Sequence, residues 1–126
     1  MEESEDMTIA STFDAKYPEE NVTLTFDFSP GLAALGAGVT LSSITSVTLQ
    51  PYGVDGNLGT DPAPAALLNG AASIGNATGA PANTAALQPV KGGKPGVSYL
   101  FSVIAVTSLA GATPLELKGI LPIAAV

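Results

Sequence analysis

The stretch "DGNLGTD" sets Asp55, Asn57 and Asp61 at an alternating spacing, with glycines where a tight cation-binding loop would turn. Calcium needs six or so oxygen ligands, and the glutamate that would complete the set is missing, since position 66 is alanine. Asp and Asn before Gly also make ordinary turns, because their side chains hydrogen-bond the nearby backbone. The expectation is turn chemistry with no metal. Catalytic types are scarce. The chain has no His and no Cys, so the usual base and nucleophile pairs are absent, and there is neither a thiolate site nor a disulfide framework. A Ser/Lys pair or a carboxylate dyad remains. The body, however, offers only Asp27, Asp55, Asp61 and Glu116, of which Asp27 lies on a strand face and Asp55 and Asp61 share a loop. "GGKPGVSY" (Gly92 to Tyr99) has the glycines of a phosphate-binding loop but leads into a strand, not the helix such a loop needs. It reads as a hairpin turn whose lysines keep an exposed edge soluble. "NVT" and "NAT", at Asn21 and Asn76, fit glycosylation sequons of a kind that arises often by chance. The chain is expected not to be an enzyme and to use no cofactor, metal or small-molecule substrate.

The elements that would hold any site are those of a bland chain. With 126 residues it suits one domain and one modest core. Hydrophobic residues make up 46% and charged ones only 12%, about half the usual charged share. The most apolar run, "VSYLFSVIAV", is too short for the roughly 20 residues of a spanning helix, so no membrane partner is expected. "MEESEDMT" is acidic and lacks the basic and apolar regions of a secretory signal. Low charge with ample Ala, Gly and Thr suits a subunit whose faces are covered by neighbours, a homo-oligomer; a monomer with small-residue loops is the alternative. The net charge of −7 gathers at the head, in Glu2, Glu3, Glu5, Asp6, Asp14, Glu19 and Glu20. Residues 1–12 therefore read as a flexible acidic arm, and 13–126 as a single domain. With no Arg and four Lys the chain lacks the basic face that nucleic acid requires.

Period-2 alternation predicts the strands. In "NVTLTFDF" (Asn21 to Phe28), Val22, Leu24, Phe26 and Phe28 share one face. "SPGLAALGAG" allows one helical turn on a Leu32/Leu35 anchor, its glycines arguing against more. In "VTLSSITSVTLQPY" (Val39 to Tyr52) Ile44 breaks the phase, which predicts a bulge or two short strands. "AASIGN" is a weak strand, and "TAALQPV" a strand ended by "KGGKPG". Val97, Tyr99, Phe101, Val103 and Ala105 form one face of "VSYLFSVIAVTS", whose other face is also largely apolar, so this strand is expected to be central. "LELKGILPI" alternates, with Leu115, Leu117, Leu121 and Ile123 inward, and closes a hairpin through Gly111. About seven short strands at roughly 10–12-residue spacing describe an all-β antiparallel sandwich.

In order, "KYPEENVTLTFDFSPGLAALGAGVTLSS", "GTDPAPAALLNGAA", "VKGGKPGVSYLFSVIAVTSLAG" and "LELKGILPI" resemble a family of small proteins from tailed bacteriophages and prophages, often labelled fibre–tail adaptors. The matching pattern is a Lys-x-Pro-x-Glu lead-in, an apolar strand ending in Asp-Phe-Ser, a Gly-x-Asp-Pro-x-Pro segment with a Leu-x-Gly end, and a Gly-Gly-x-x-Gly-x-x-Tyr turn into a strand. It runs from about Lys16 to Ile123, nearly the whole domain. Many members carry an Arg after the last hairpin turn; this chain has none, which counts against a charged docking contact there. The resemblance implies an immunoglobulin-like sandwich located in the virion, at the tail or on the capsid surface, assembled in the bacterial host cytoplasm. Its partners would be other virion proteins. It would serve as an adaptor connecting tail and fibre components, or as a capsid decoration (cement) protein bridging capsomers. A free adhesin-like binding module is the non-virion alternative.

The long Gly- and Pro-rich stretch from Gly53 to Asn83 is where such a partner is expected to dock. Within it, Asp61 can cap a turn, Pro62 and Pro64 hold the chain extended, and Leu67 and Leu68 anchor in the core or in a neighbour. Asn69-Gly70 then turns the chain with positive φ. Asp61, Pro62, Pro64, Leu67 and Leu68, with Lys91 and Lys94 of the glycine turn, are the partner-contact candidates.

Overall fold

The structure, a computed structural model, describes residues 9–52 and 63–124. Its strands are β1 (Ile9–Thr12), β2 (Val22–Asp27), β3 (Leu41–Pro51), β4 (Ser73–Gly75), β5 (Ala85–Val90), β6 (Ser98–Thr107) and β7 (Leu115–Pro122), with one helix, α1 (Ser29–Leu35). One sheet has the order β1-β7-β6-β3 and the other β2-β5-β4. The fold is all-β. Every ladder is antiparallel except β1 with β7, which run parallel, a departure from the wholly antiparallel expectation. That pairing also draws Ile9–Thr12, assigned from sequence to the arm, into the sheet. A four-residue strand has almost no local signal; its neighbour supplies it.

The predicted apolar faces are the core. Along β6 and its approach, Val97 is 2% exposed, and Tyr99, Phe101, Val103 and Ala105 are wholly buried. Leu24, Phe26, Ala86 and Val90 face them from the other sheet within the same cluster. The Phe26 and Phe101 rings, 6.4 Å apart, join the two sheets, and Phe13 meets Phe26 edge-on at 5.3 Å. Each such ring contributes about 1.5–3 kcal/mol by leaving water. Gly119 makes this stack possible. A Cβ there would lie 2.6 Å from the Phe13 ring and 3.3 Å from Phe26, so β7 needs a residue without a side chain at this point.

β6 lies between β7 and β3, as its two apolar faces predict. β3 is one strand whose register slips on both sides of Ile44, where the phase of its apolar residues breaks. Gly111, at φ +81°, lies in the connection between β6 and β7, which pair as a hairpin. Two expectations are corrected. "SPGLAAL" forms a seven-residue helix rather than a single turn, because Pro30 pre-sets its start and Leu32 is buried in the core. Gly31 lies within the helix, and its cost is outweighed there, while Gly36 ends it at a positive φ that suits glycine. "KGGKPG" is not a hairpin turn: β5 and β6 belong to different sheets, so these residues carry the chain across the core.

The register separates neighbouring residues of β6. Phe101→Ala is expected to lower unfolding free energy by about 3–5 kcal/mol through an unfilled cavity. Leu100→Ala, on the other face, should cost less than about 1 kcal/mol. Urea titrations of the two variants check this, and equal losses would contradict the assigned faces.

Candidate functional site

The partner-contact candidates that fall among the described residues gather at one end of the domain, around the crossing from β5 to β6. Asp61 and Pro62, and the calcium-like set Asp55, Asn57 and Asp61, lie outside the described residues. Pro64 opens a 3₁₀ turn, Pro64–Leu67, rather than an extended segment; its fixed φ suits the first position of a helical turn as well as it suits an extended chain. The turn delivers Leu67 into the core, 2% exposed, which makes it an anchor of the fold and not an outward contact. Leu68 is half-buried and bridges Val90. The segment is laced to the end of β5: Lys91 N–H donates to the Leu67 carbonyl at 2.9 Å and Asn69 N–H to that of Pro89 at 3.0 Å. Buried Gln88 donates through Nε2 to the carbonyls of Gly70 (3.0 Å) and Pro89 (2.7 Å). Gly70 has the expected positive φ, +98°, and Asn69 does not.

Past Lys91 the chain turns through Gly92, Gly93 and Gly96, all at positive φ. Gly93, at +106°, is doubly constrained, since a Cβ there would meet Ile123 at 2.7 Å. Two buried side chains fix this crossing. The Tyr99 hydroxyl accepts the Lys94 N–H at 3.0 Å. From the segment after β1, the Lys16 ammonium donates to the carbonyls of Tyr17 (2.8 Å), Pro18 (3.3 Å) and Gly92 (2.5 Å). Those three bonds use all three of its protons. Lys16 is 2% exposed. Its pKa lies below the usual 10.5, first because burial disfavours the charged form; nearby Glu20 and Glu19 push the other way. Glu20 in turn holds the turn after Lys16, its Oε1 accepting Tyr17 N–H at 2.9 Å. The Lys91 and Lys94 side chains are exposed, at this corner rather than along a strand edge.

The structure thus brings the candidates Pro64, Leu67, Leu68, Lys91 and Lys94 to one end, and sequence reasoning misses Lys16, Gln88 and Tyr99 as the groups that hold that end together. The available signal was the Lys-x-Pro-x-Glu lead-in, whose lysine has two acids close behind it. Chemically the assembly is a brace: its polar atoms are spent on backbone groups. Among the described residues no three acidic side chains converge as a metal site would require, and no helix is long and apolar enough to cross a membrane. Asp27, at the end of β2, accepts the Ser29 N–H at the start of α1 at 2.9 Å, and Glu116 of β7 accepts the Ser102 hydroxyl of the neighbouring β6. No family model, curated protein or solved structure matches the chain.

Tyr99→Phe removes the buried acceptor of the Lys94 N–H and should cost about 1–2 kcal/mol. Lys16→Met removes three hydrogen bonds, leaving the Tyr17 carbonyl still bonded by Glu20 N–H but depriving those of Pro18 and Gly92 of this donor, and should cost about 2–3 kcal/mol. The two differ in pH dependence. Because the folded pKa of Lys16 is depressed, the unfolded chain binds its proton more tightly. The stability due to Lys16 therefore rises as pH climbs from the folded value toward 10.5, and it sits on its lower plateau below that window. Urea unfolding of wild type minus Lys16→Met, from about pH 8 to 11, reads this directly. A difference that shrinks with rising pH would contradict it.

Proposed function

We propose that the chain is a non-enzymatic structural protein of a tailed-phage virion, an adaptor connecting tail and fibre components through protein–protein contacts on an immunoglobulin-like sandwich. The observation that carries this reading is where the family-like stretches meet. The lysine of "KYPEE" bonds the glycine turn of "VKGGKPGVSY" through the Gly92 carbonyl. The turn's Lys91 bonds Leu67 of "DPAPAALLNG", and Gly96 and Val97 exchange hydrogen bonds with Ile123 of "LELKGILPI". Four segments that are each weak as motifs form one contiguous end, as a shared docking function requires.

The immunoglobulin-like part rests on strand order. The β2-β5-β4 sheet corresponds to strands B, E and D, and β7-β6-β3 to G, F and C. Tyr99, near the start of β6, bonds back to the backbone at the corner before it, as the tyrosine corner of that fold does. A non-enzymatic role is supported by the lack of His and Cys and by dispersed carboxylates, Asp27 and Glu116, each engaged with a neighbouring serine. An exposed Lys91/Lys94 pair beside half-buried Pro64 and Leu68, on a braced backbone, suits a pre-formed contact for another virion protein.

Quantitative protein counting in purified particles tests the role. A dozen copies or so, lost with the tail, is the expected result. Hundreds of copies would instead assign capsid decoration, and absence from particles would leave the free adhesin-like module. At residue level, Leu67→Ser should destabilise the isolated domain by about 2–5 kcal/mol. Replacing both Lys91 and Lys94 by Glu should leave the melting temperature nearly unchanged while reducing incorporation into particles. Full incorporation of that double variant would remove this end as the contact.

A further inference from the structure

β3 is an edge strand: it pairs with β6 on one side and, among the described residues, with no strand on the other. Its residues 46–51 run in unbroken register with β6, and the slips lie before them, on both sides of Ile44. Tyr52 N–H donates to the Ser98 carbonyl at 2.8 Å. Bonding in an antiparallel ladder recurs at every second residue. Gln50, Thr48 and Ser46 therefore turn their N–H and C=O groups toward β6, and Leu49 and Val47 turn theirs outward. On that side no other described backbone group bonds Leu49 or Val47. The edge thus presents a short row of open donors and acceptors.

The other sheet edges are guarded against pairing, and this one is not. β1 and β4 are only four and three residues long. β2 has Glu19 and Glu20 close before it and ends at Asp27. β3 carries no Asp, Glu or Lys, and its Thr, Val and Leu favour extended pairing. The 3₁₀ turn and β4, which pack beside it, lie in residues 63–90, where no charged residue occurs either.

The row is complementary to itself. A two-fold axis through Thr48 pairs Val47 with Leu49 of a second copy. These are the residues whose backbone groups face outward, so each pair exchanges both of its N–H···O=C bonds. The side chains agree with this register. Val47 and Leu49 both pack against the core, so apolar meets apolar on the inner face. On the outer face Thr48 meets its own copy and Ser46 meets Gln50. An axis through Val47 would set Leu49 against Thr45, inside the irregular stretch. One through Leu49 would set Val47 against Pro51, which has no N–H to give. Charge does not oppose the contact. The nearest charges within this sheet, Glu116 and Lys118 on β7, are opposite in sign. Across the pairing the two β7 strands stand five strand spacings apart, about 24 Å, or roughly three Debye lengths at physiological salt. A charged partner strand would find no counter-charge along β3; a second copy needs none. We propose that β3 is an interface between two copies of the chain, joined edge to edge about an axis at Thr48, so that two four-stranded sheets become one. The inference goes beyond the virion reading and does not depend on it.

Sedimentation velocity of the full chain up to about 0.5 mM tests the pairing. The expected result is a concentration-dependent dimer. Thr48 is exposed on the outer face, so charging it spares the core. Thr48→Lys and Thr48→Glu should each weaken the dimer by about thirtyfold or more, because like charges then face each other at the axis. The melting temperature of the dilute protein should not change. Mixing the two variants in equal amounts should restore the dimer, since opposite charges then meet; a change that merely disturbed the fold would not be rescued this way. Thr25→Lys, at the exposed middle of β2, should leave the dimer intact. A wild type monomeric throughout, a dimer indifferent to both charges, or a mixture that stays monomeric would each overturn the proposal. A monomer that binds a tail or fibre protein through β3 would overturn it as well and assign the edge to that partner. Failure here is separable from failure of the virion role. A chain absent from particles whose dimer responds to Thr48 as expected removes only the virion reading. A wild type incorporated into particles yet monomeric at about 0.5 mM removes only this one.

Discussion

The crossing from β5 to β6 is the constraint on which the two sheets depend. There the backbone leaves one hydrogen-bonded ladder and has not yet joined the next, so its N–H and C=O groups must find partners outside a sheet. Ladder neighbours cannot serve, and the chain has few polar side chains to spend. Backbone carbonyls of Leu67 and Ile123 take the Lys91 and Gly96 N–H groups, and two buried side chains serve others. The Tyr99 hydroxyl takes the Lys94 N–H, and the Lys16 ammonium takes the Gly92 carbonyl. Because Tyr99 begins the core row of β6 and Lys16 pairs beside Ile123 after β7, the same two bonds tie the four-stranded sheet to the corner that leaves β5. Glycine supplies the rest: at Gly93 a side chain would strike Ile123 and the φ is left-handed, so backbone and packing demand the same residue.

Lysine is an expensive choice for a buried donor, since desolvating an ammonium costs several kcal/mol. Its position offsets much of that cost. Three carbonyls satisfy its protons, and Glu19 and Glu20 lie close enough to favour the charged form without being buried themselves. No neutral side chain offers three donors at the end of a flexible stem. One lysine thus ties its own turn, at Tyr17 and Pro18, to Gly92, far away in the chain. Elsewhere the body carries almost no charge, and apolar burial dominates, as in the Phe13–Phe26–Phe101 stack over Gly119.

What can be read from sequence divides along the same line. Alternation is a local property with a period of two, and it finds β2, β6 and β7 with their inward faces; a phase break finds the irregularity at Ile44. Non-local pairing leaves no such trace. The four residues of β1 carry no pattern that announces a parallel partner at the far end of the chain. "KGGKPG" has the same glycines and proline whether it closes a hairpin or crosses the core, and only the sheet membership of its neighbours decides. In α1 the intrinsic cost of glycine pointed one way, and the burial of Leu32 outweighed it. Of the candidate site, the residues that lie at its surface were legible because exposed Lys, Pro and Leu in a turn-rich stretch stand out. The groups that hold it together were not, because a lysine is ordinarily a surface residue.

The segment "PAALLNG" joins these points. Alone it is too short for a helix that would persist in water and too broken for a central strand. It holds its shape because Leu67 and Asn69 are tied to the end of β5, at Lys91 and at Pro89, and because the Leu67 side chain is taken up by the core. Its conformation therefore follows from the strand that it borders. The strand's exit follows in turn from Tyr99 and Lys16. An end built this way is ordered before any partner arrives, so a contact made there loses little conformational entropy. The opposite end lies beyond the same core-spanning strands. A partner bound at one end is thereby linked through a stiff, well-packed body to whatever is bound at the other, which is the mechanical property a connector needs.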